Sequence, residues 1–206
     1  MRWILSWMLG VAMALGLCSV GAGQDRGHIE NLLAKLDDSA TARGASEELK
    51  TLAKQDQDSR QYLANRLPSL ITTGSRGDLQ LWYSSLELVA ELKIIETVPV
   101  LTELLRKENR GPVTDFIAAA RLYDDPVAYA LSQIGEPATQ SVAKLFEDGD
   151  AATRRRAAIV LGNIATPHAR QALLNQIQVE RADDLRAVMQ DQVAYIDSKA
   201  KLGASR

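Results

Sequence analysis

Residues 150–173 read DAATRRRAAIVLGNIATPHARQAL, and this stretch decides the fold. Leu161 and Ile164 stand three positions apart, so they share one face of a helix. A short break follows, and Pro167 then suits the first turn of a second helix, where its missing N–H is not needed. The stretch therefore predicts two helices joined by a tight turn, which is a helical hairpin.

The same pattern occurs twice upstream. Val89 and Leu92 in one passage, and Leu131 and Ile134 in the other, repeat the apolar spacing before a break. Gly135 suits the left-handed conformation that ends many helices. The second helix of each hairpin then carries its own apolar stripe, which comprises Val98, Leu101, Leu104 and Leu105; Val142, Leu145 and Phe146; and Leu173, Leu174 and Ile177.

These positions resemble a known repeat. The residues that carry the resemblance are Arg154, Ala157, Ala158, Leu161, Gly162, Ile164, Pro167, Ala169 and Leu173. Together they are similar to the short HEAT-like repeat best known from phycobilin lyases. The chain departs from that pattern at Trp82 and Asp124, which stand where Arg154 stands in the last repeat, and at Thr166, which replaces an acidic turn residue.

The resemblance implies an all-α fold, a short right-handed α-solenoid of antiparallel helical hairpins. It also implies that Arg154 pairs with an acidic residue of the neighbouring repeat, and we expect Asp150 or Asp148 to be that partner. The predicted organisation of residues 24–206 is a degenerate hairpin at 28–73, repeats at about 78–110, 113–149 and 150–179, and a capping helix at 181–198.

The N-terminus has the three parts of a secretory signal. Arg2 precedes an apolar run, and small residues close the segment at residue 23. We expect residues 1–23 to be removed by cleavage after Ala22 or Gly23, which makes the chain periplasmic or extracellular. Two alternatives stay open: residues 3–22 approach the length of a membrane anchor, and Cys18 ends a stretch that resembles a lipobox.

Composition narrows the classes of partner and chemistry. The formal net charge of −2 favours neither nucleic acid nor an anionic membrane as a partner. Cys18 is the single cysteine, so a cleaved chain has no disulfide and no thiolate metal site. Beyond the possible N-terminal anchor, we expect no membrane contact.

Candidate catalytic and metal-binding residues are sparse. His28 falls in a start that we expect to be mobile, and His168 falls in a repeat turn where a solvated side chain explains it. The acidic pairs, such as Asp124 and Asp125, flank helix starts, where carboxylates cap free backbone amides. We therefore expect no catalytic residue, no cofactor and no metal ion.

Two other clusters have structural interpretations. The basic run Arg154–Arg155–Arg156 points in different directions at helical spacing, which favours internal ion pairs over an anion site. Trp82 and Tyr83 could line a groove, but they fall at core spacing with Leu79 and Leu86, which favours packing.

The resulting hypothesis is an exported protein-interaction or scaffolding module. In similar repeats the second helices line a concave face, and the positions two after the stripe residues are Glu103, Lys144 and Asn175. We expect these three residues to face a partner-binding groove. The alternatives are a pigment- or ligand-handling enzyme or chaperone related to phycobilin lyases, and an envelope-tethered structural subunit; the oligomeric state and the partner protein stay open.

Overall fold

A computed structural model describes residues 26–74, 78–107 and 125–204, and these residues contain helices and turns but no strand. The predicted signal at 1–23 lies outside the described residues. The helices are α1 (26–34), α2 (Ala42–Gln55), α3 (Gln57–Gly74), α4 (Leu79–Leu92), α5 (Val98–Lys107), α6 (Pro126–Ile134), α7 (Thr139–Ala143), α8 (Leu145–Asp148), α9 (Ala151–Ile164), α10 (Pro167–Val179) and α11 (Asp183–Ala204).

The helices form two layers, as an α-solenoid requires. One layer runs α2, α4, α6, α9 and α11, each helix packing against the next. The second layer runs α3, α5, α7 and α10, again with each helix contacting its neighbour. Helices consecutive in the chain, such as α3 with α4 and α10 with α11, join the layers. The predicted all-α solenoid is therefore confirmed.

Side-chain caps begin three of the first-layer helices, α4, α6 and α9, because the first backbone amides of a helix have no partner within it. Asp78 accepts a hydrogen bond from the Leu81 amide at 2.9 Å, and Asp125 accepts one from the Ala128 amide at 3.0 Å. Asp150 accepts one from the Thr153 amide at 2.7 Å. The carboxylates that flank these starts thus act as helix caps.

The three aligned turns share one backbone feature. The residue that follows α4, α6 and α9 has a positive φ in each case: 51° at Lys93, 81° at Gly135 and 57° at Ala165. Lys93 and Ala165 adopt the left-handed helical conformation although each carries a Cβ, whereas Gly135, which was expected to adopt it, has a ψ of −138° and lies outside that region. The surrounding hairpin imposes the turn conformation even where the side chain disfavours it.

The N-terminal region differs from the expected single hairpin at 28–73, because α1 precedes α2 and α3 as a separate helix. The start is not the mobile segment expected around His28: Ile29, Leu32 and Leu33 are buried in the core. Pro68 lies within α3 and does not begin a separate helix.

A buried lysine links α2 to α4, which are neighbours in the first layer. Lys50 of α2 has a side chain only 4% exposed, and its Nζ lies 2.9 Å from carboxylate oxygens of Glu47 and of Glu91 in α4. Burial lowers the pKa of Lys50, but the hydrogen bonds and charges of Glu91 and Glu47 outweigh it, so the pKa lies above its usual value. The ion pairs therefore keep this amine charged inside the first layer.

Candidate interaction surface

The second layer presents one row of side chains away from the core. Leu101, Val142 and Leu173 are fully buried beneath it. Side chains two positions further along a helix point about 200° away, so they face outward. Glu103, Lys144 and Asn175 occupy these positions on α5, between α7 and α8, and on α10. The three residues named from the sequence therefore lie on adjacent parts of one layer.

The two charged members of the row differ in their surroundings. Glu103 is partly buried, and its carboxylate contacts Lys107 Nζ at 2.7 Å and Arg106 Nη1 at 3.9 Å. The hydrogen bond from Lys107 holds the pKa of Glu103 below its usual value against the effect of burial. Lys144 is exposed, and within the described residues its amine contacts no carboxylate. The row therefore offers a positive charge at its centre.

The row has a fourth member that was not predicted from the sequence. Asn65 of α3 lies two positions after the fully buried Leu63, and it is exposed like Lys144 and Asn175. The same offset of two residues from a buried leucine identifies this position. Gln61 donates to Asn65 Oδ1 at 3.3 Å, and Gln171 donates to Asn175 Oδ1 at 2.8 Å. The two outer helices of the layer thus present the same pair of amides.

A shallow cavity of about 140 Å³ lies beside this row, between α3 and the turn that precedes α5. Arg60, Gln61, Lys93 and Ile95 are among the residues that line it. Ile95 lies in the helical turn that precedes α5. Its side chain is 51% exposed at this cavity, a high exposed fraction for an isoleucine. The cavity offers space and one apolar contact next to the amide pair of α3.

The expected pairing of Arg154 with Asp150 is wrong. Arg154 Nε and Nη2 donate to the two carboxylate oxygens of Glu180 at 2.9 and 3.2 Å, and Nη1 donates to the Gly149 carbonyl at 2.9 Å. Asp150 serves as the cap of α9, which orients its carboxylate toward the helix start. Asp148, the other expected partner, pairs with Arg106 at 3.0 Å.

Glu180 was missed because it lies in the turn before α11, 26 residues beyond Arg154. Its side chain is only 3% exposed. Burial raises its pKa, but hydrogen bonds from Arg154, the Ala182 amide and Gln176 prevail and lower the pKa to about 2. Arg154 therefore joins the last repeat to the closing helix.

The other two arginines of the basic run also bind within the protein. Arg155 Nη2 lies 2.7 Å from Asp184 Oδ2. Arg156 is nearly buried, and it donates to both Asp125 oxygens at 2.7 and 3.0 Å and to the Leu105 carbonyl at 2.6 Å. The three consecutive guanidiniums thus bind three different parts of the chain, which argues for a structural role and against an anion site.

The other residues considered as functional candidates, Trp82 and the two histidines, contact groups within the protein. Trp82 is 2% exposed in the core, in edge-on contact with the Tyr83 ring. His28 lies 2.8 Å from Glu48, and His168 lies 2.6 Å from Glu136 of the preceding repeat turn. Among residues 26–74, 78–107 and 125–204, no three potential ligands cluster as a metal site would require. No helix in these ranges has the length and hydropathy to cross a bilayer.

Comparison with protein families identifies one part of the chain. A family model for the PBS lyase HEAT-like repeat matches residues 153–178, which cover most of α9 and α10. No match was found among curated proteins. The matched hairpin is the one whose helices pack on α6, α7 and α11, so it lies within the stack that the structure shows. The chain is therefore an all-α solenoid that contains a HEAT-like repeat of the PBS lyase type.

Proposed function

We propose that this chain is an exported protein-interaction or scaffolding module that binds its partner through the outer row Asn65, Glu103, Lys144 and Asn175. The observation that carries the proposal is a difference between the two layers in whether their polar side chains are buried in ion pairs or exposed. Polar groups of the first layer, such as Lys50 and Arg156, are buried in internal ion pairs. The outer row of the second layer is instead presented on adjacent helices, with Lys144 and both asparagines exposed.

The extent of this surface supports a macromolecular partner. Packed helices lie about 8–10 Å apart, so four adjacent helices span roughly 30 Å. Solenoids use extended surfaces of this kind to bind other proteins. We infer that the second layer forms the concave side and that the row lies along it. The HEAT-like hairpin itself is a packing unit, so it transfers no chemistry to this chain, and we propose a non-enzymatic role.

The binding proposal is tested by reversing the two charges in the row. Glu103→Lys combined with Lys144→Glu is compared with Lys35→Glu combined with Asp191→Lys, two exposed positions away from the row. Crosslinking and affinity capture from the native cell envelope should lose a partner with the first pair and retain it with the second. If every captured protein is unchanged by the first pair, the row is not the binding surface.

The pigment-handling alternative has a direct spectroscopic test. The proposed binding module should purify without an absorbance band in the visible range. A bound tetrapyrrole in the purified protein would favour the alternative.

Export is tested separately. We propose cleavage after Ala22 or Gly23, and mass spectrometry of the mature N-terminus checks it. A start at Gly23 or Gln24 is expected. An intact Met1 would indicate the membrane-anchored alternative, and a lipidated Cys18 would indicate the lipoprotein alternative.

A further inference from the structure

The outward face of the second layer is rich in side-chain amides. Two parallel rows lie on α3, α5, the α7–α8 pair and α10, four residues apart on each helix. Seven of these eight residues are exposed, Glu103 being partly buried. The first row comprises Gln61, Pro99, Gln140 and Gln171, and the second comprises Asn65, Glu103, Lys144 and Asn175. Five of the eight side chains are therefore neutral carboxamides, and we call these eight residues the amide face.

A carboxamide has the same hydrogen-bonding groups as a peptide bond, with N–H donors beside a carbonyl acceptor. On α10, Gln171 donates to Asn175 at 2.8 Å, and on α3, Gln61 donates to Asn65 at 3.3 Å. These contacts use the glutamine N–H groups and the asparagine carbonyls, so the asparagine N–H groups and the glutamine carbonyls are not used by them. They also restrict the side chains before a partner arrives, which reduces the entropy lost on binding.

The spacing of the helices matches an extended chain. Neighbouring helices lie about 8–10 Å apart, and an extended polypeptide rises about 3.3 Å per residue, so it crosses one helix in roughly three residues. Four helices therefore meet about nine consecutive residues. A chain lying across them would present one peptide group to each helix in turn, and it would meet carboxamides on α3, the α7–α8 pair and α10.

The charges of the amide face favour one kind of residue near the centre of a bound chain. Glu103 is neutralised by Lys107 at 2.7 Å, whereas Lys144 contacts no carboxylate in the part of the chain that the structure describes. The flanking residues on α3 and α10 are uncharged. A partner that complements this pattern has a carboxylate near its middle and neutral residues on either side. The cavity beside α3, with Ile95 at its edge, has space for one apolar side chain at that end.

We propose that the amide face binds an extended segment of a partner protein through its backbone, with an aspartate or glutamate of that segment paired to Lys144. The inference rests on the proposed interaction function and adds the chemistry of the partner. The mix of one cation and one neutralised carboxylate does not fit a polyanion such as nucleic acid, which needs several unpaired cations.

The test uses a phage-displayed library of random linear nonapeptides, selected on the full mature protein. Selected sequences should share an acidic residue at about position four or six, according to the direction of the chain, because Lys144 lies on the third of the four helices. The same selection on Lys144→Glu should replace it with a basic residue. A selection that yields no sequence, or sequences with no central acidic residue, overturns the proposal.

A selected peptide then tests backbone recognition by fluorescence anisotropy. Methylation of alternate backbone nitrogens in the peptide should weaken binding at least tenfold, because those donors are lost. Asn65→Ala with Asn175→Ala should weaken it about tenfold, since each lost hydrogen bond costs a factor of about three or more. Gln55→Ala with Gln190→Ala, two exposed amides outside the amide face, is the matched control and should leave affinity unchanged.

Equal affinity for the methylated and unmethylated peptides would overturn backbone recognition. Circular dichroism checks that each alanine variant folds, which is expected because alanine favours helix at exposed positions. The experiments distinguish a failure of the proposed binding surface from a failure of the proposed extended-chain recognition. Charge reversal in the outer row could abolish capture of a protein partner while no peptide binds. In that case the outer row is the binding surface, and the proposed recognition of an extended chain is wrong.

Discussion

Gly162 of α9 lies directly against the side chain of Gln192 in α11. A Cβ added at Gly162 would lie 2.7 Å from Gln192 Cδ and 3.0 Å from its Cβ, closer than packed carbons normally approach. Gln192 is itself 5% exposed, so it has little room to move. The absence of a side chain at residue 162 therefore lets the closing helix pack on the last repeat.

Gly162→Ala should lower the free energy of unfolding by about 1–3 kcal/mol, because the overpacking outweighs the gain in helix propensity. Gly44→Ala in α2 is the control, since a Cβ there meets no atom within 4 Å. That variant should be more stable by about 0.5–1 kcal/mol. Urea unfolding of both variants measures the two changes in unfolding free energy, which should have opposite signs. Equal stabilisation would mean that the α9–α11 contact relaxes without cost.

Arg156→Met should be among the most damaging single changes. It removes the hydrogen bonds to Asp125 and to the Leu105 carbonyl, and it leaves a carboxylate that is 19% exposed without this partner. Breaking one partner of a buried ion pair costs about 3–5 kcal/mol. Arg43→Met, at an exposed position of α2, should change the free energy of unfolding by less than about 0.5 kcal/mol. Similar losses in both variants would contradict the structural role of Arg156.

Stability should fall in acid, partly through Glu180. Its pKa is about 2 in the folded protein against an ordinary value of 4.5, so the carboxylate stabilises the fold above pH 4.5. That contribution, about 3 kcal/mol, is lost as the pH falls toward 2, and roughly 2 kcal/mol of it is lost by pH 3.

Glu180→Gln should therefore reduce the difference in unfolding free energy between pH 7 and pH 3 by about 2 kcal/mol. Urea titrations at the two pH values measure it. Glu147→Gln, an exposed glutamate on α8, is the matched control and should keep the difference of the unaltered protein. An unchanged pH dependence in Glu180→Gln would show that the Arg154 pair does not hold this carboxylate ionised.

Ala165→Gly should stabilise the protein by about 0.5–1 kcal/mol. Ala165 has φ 57° at the end of α9, a conformation that costs an L-residue with a Cβ about 1–2 kcal/mol, less the larger unfolded-state entropy of glycine. Ala187→Gly, at an exposed position inside α11, should instead destabilise by about 1 kcal/mol. Thermal and urea unfolding distinguish the two. A loss of stability in Ala165→Gly would indicate that its methyl group packs favourably.

Much of the fold could be predicted because its signals are local. The spacing of Leu161 and Ile164, and Pro167 at the start of the next helix, report one hairpin within residues 150–173. The offset of two residues from a buried stripe likewise placed Glu103, Lys144 and Asn175 on one layer. The N-terminal region was harder, since α1 is short and its three core residues gave no separate repeat pattern.

The sequence by itself determined the helices, their apolar faces and their order, because helix periodicity and caps depend on residues within a few positions of one another. Only the tertiary structure decided which charges meet. Arg154 binds Glu180 and not the nearby Asp150, and Arg156 binds Asp125 across 31 residues. A guanidinium on a long side chain can reach several carboxylates, and the choice depends on how the helices stack and on which carboxylates already cap a helix.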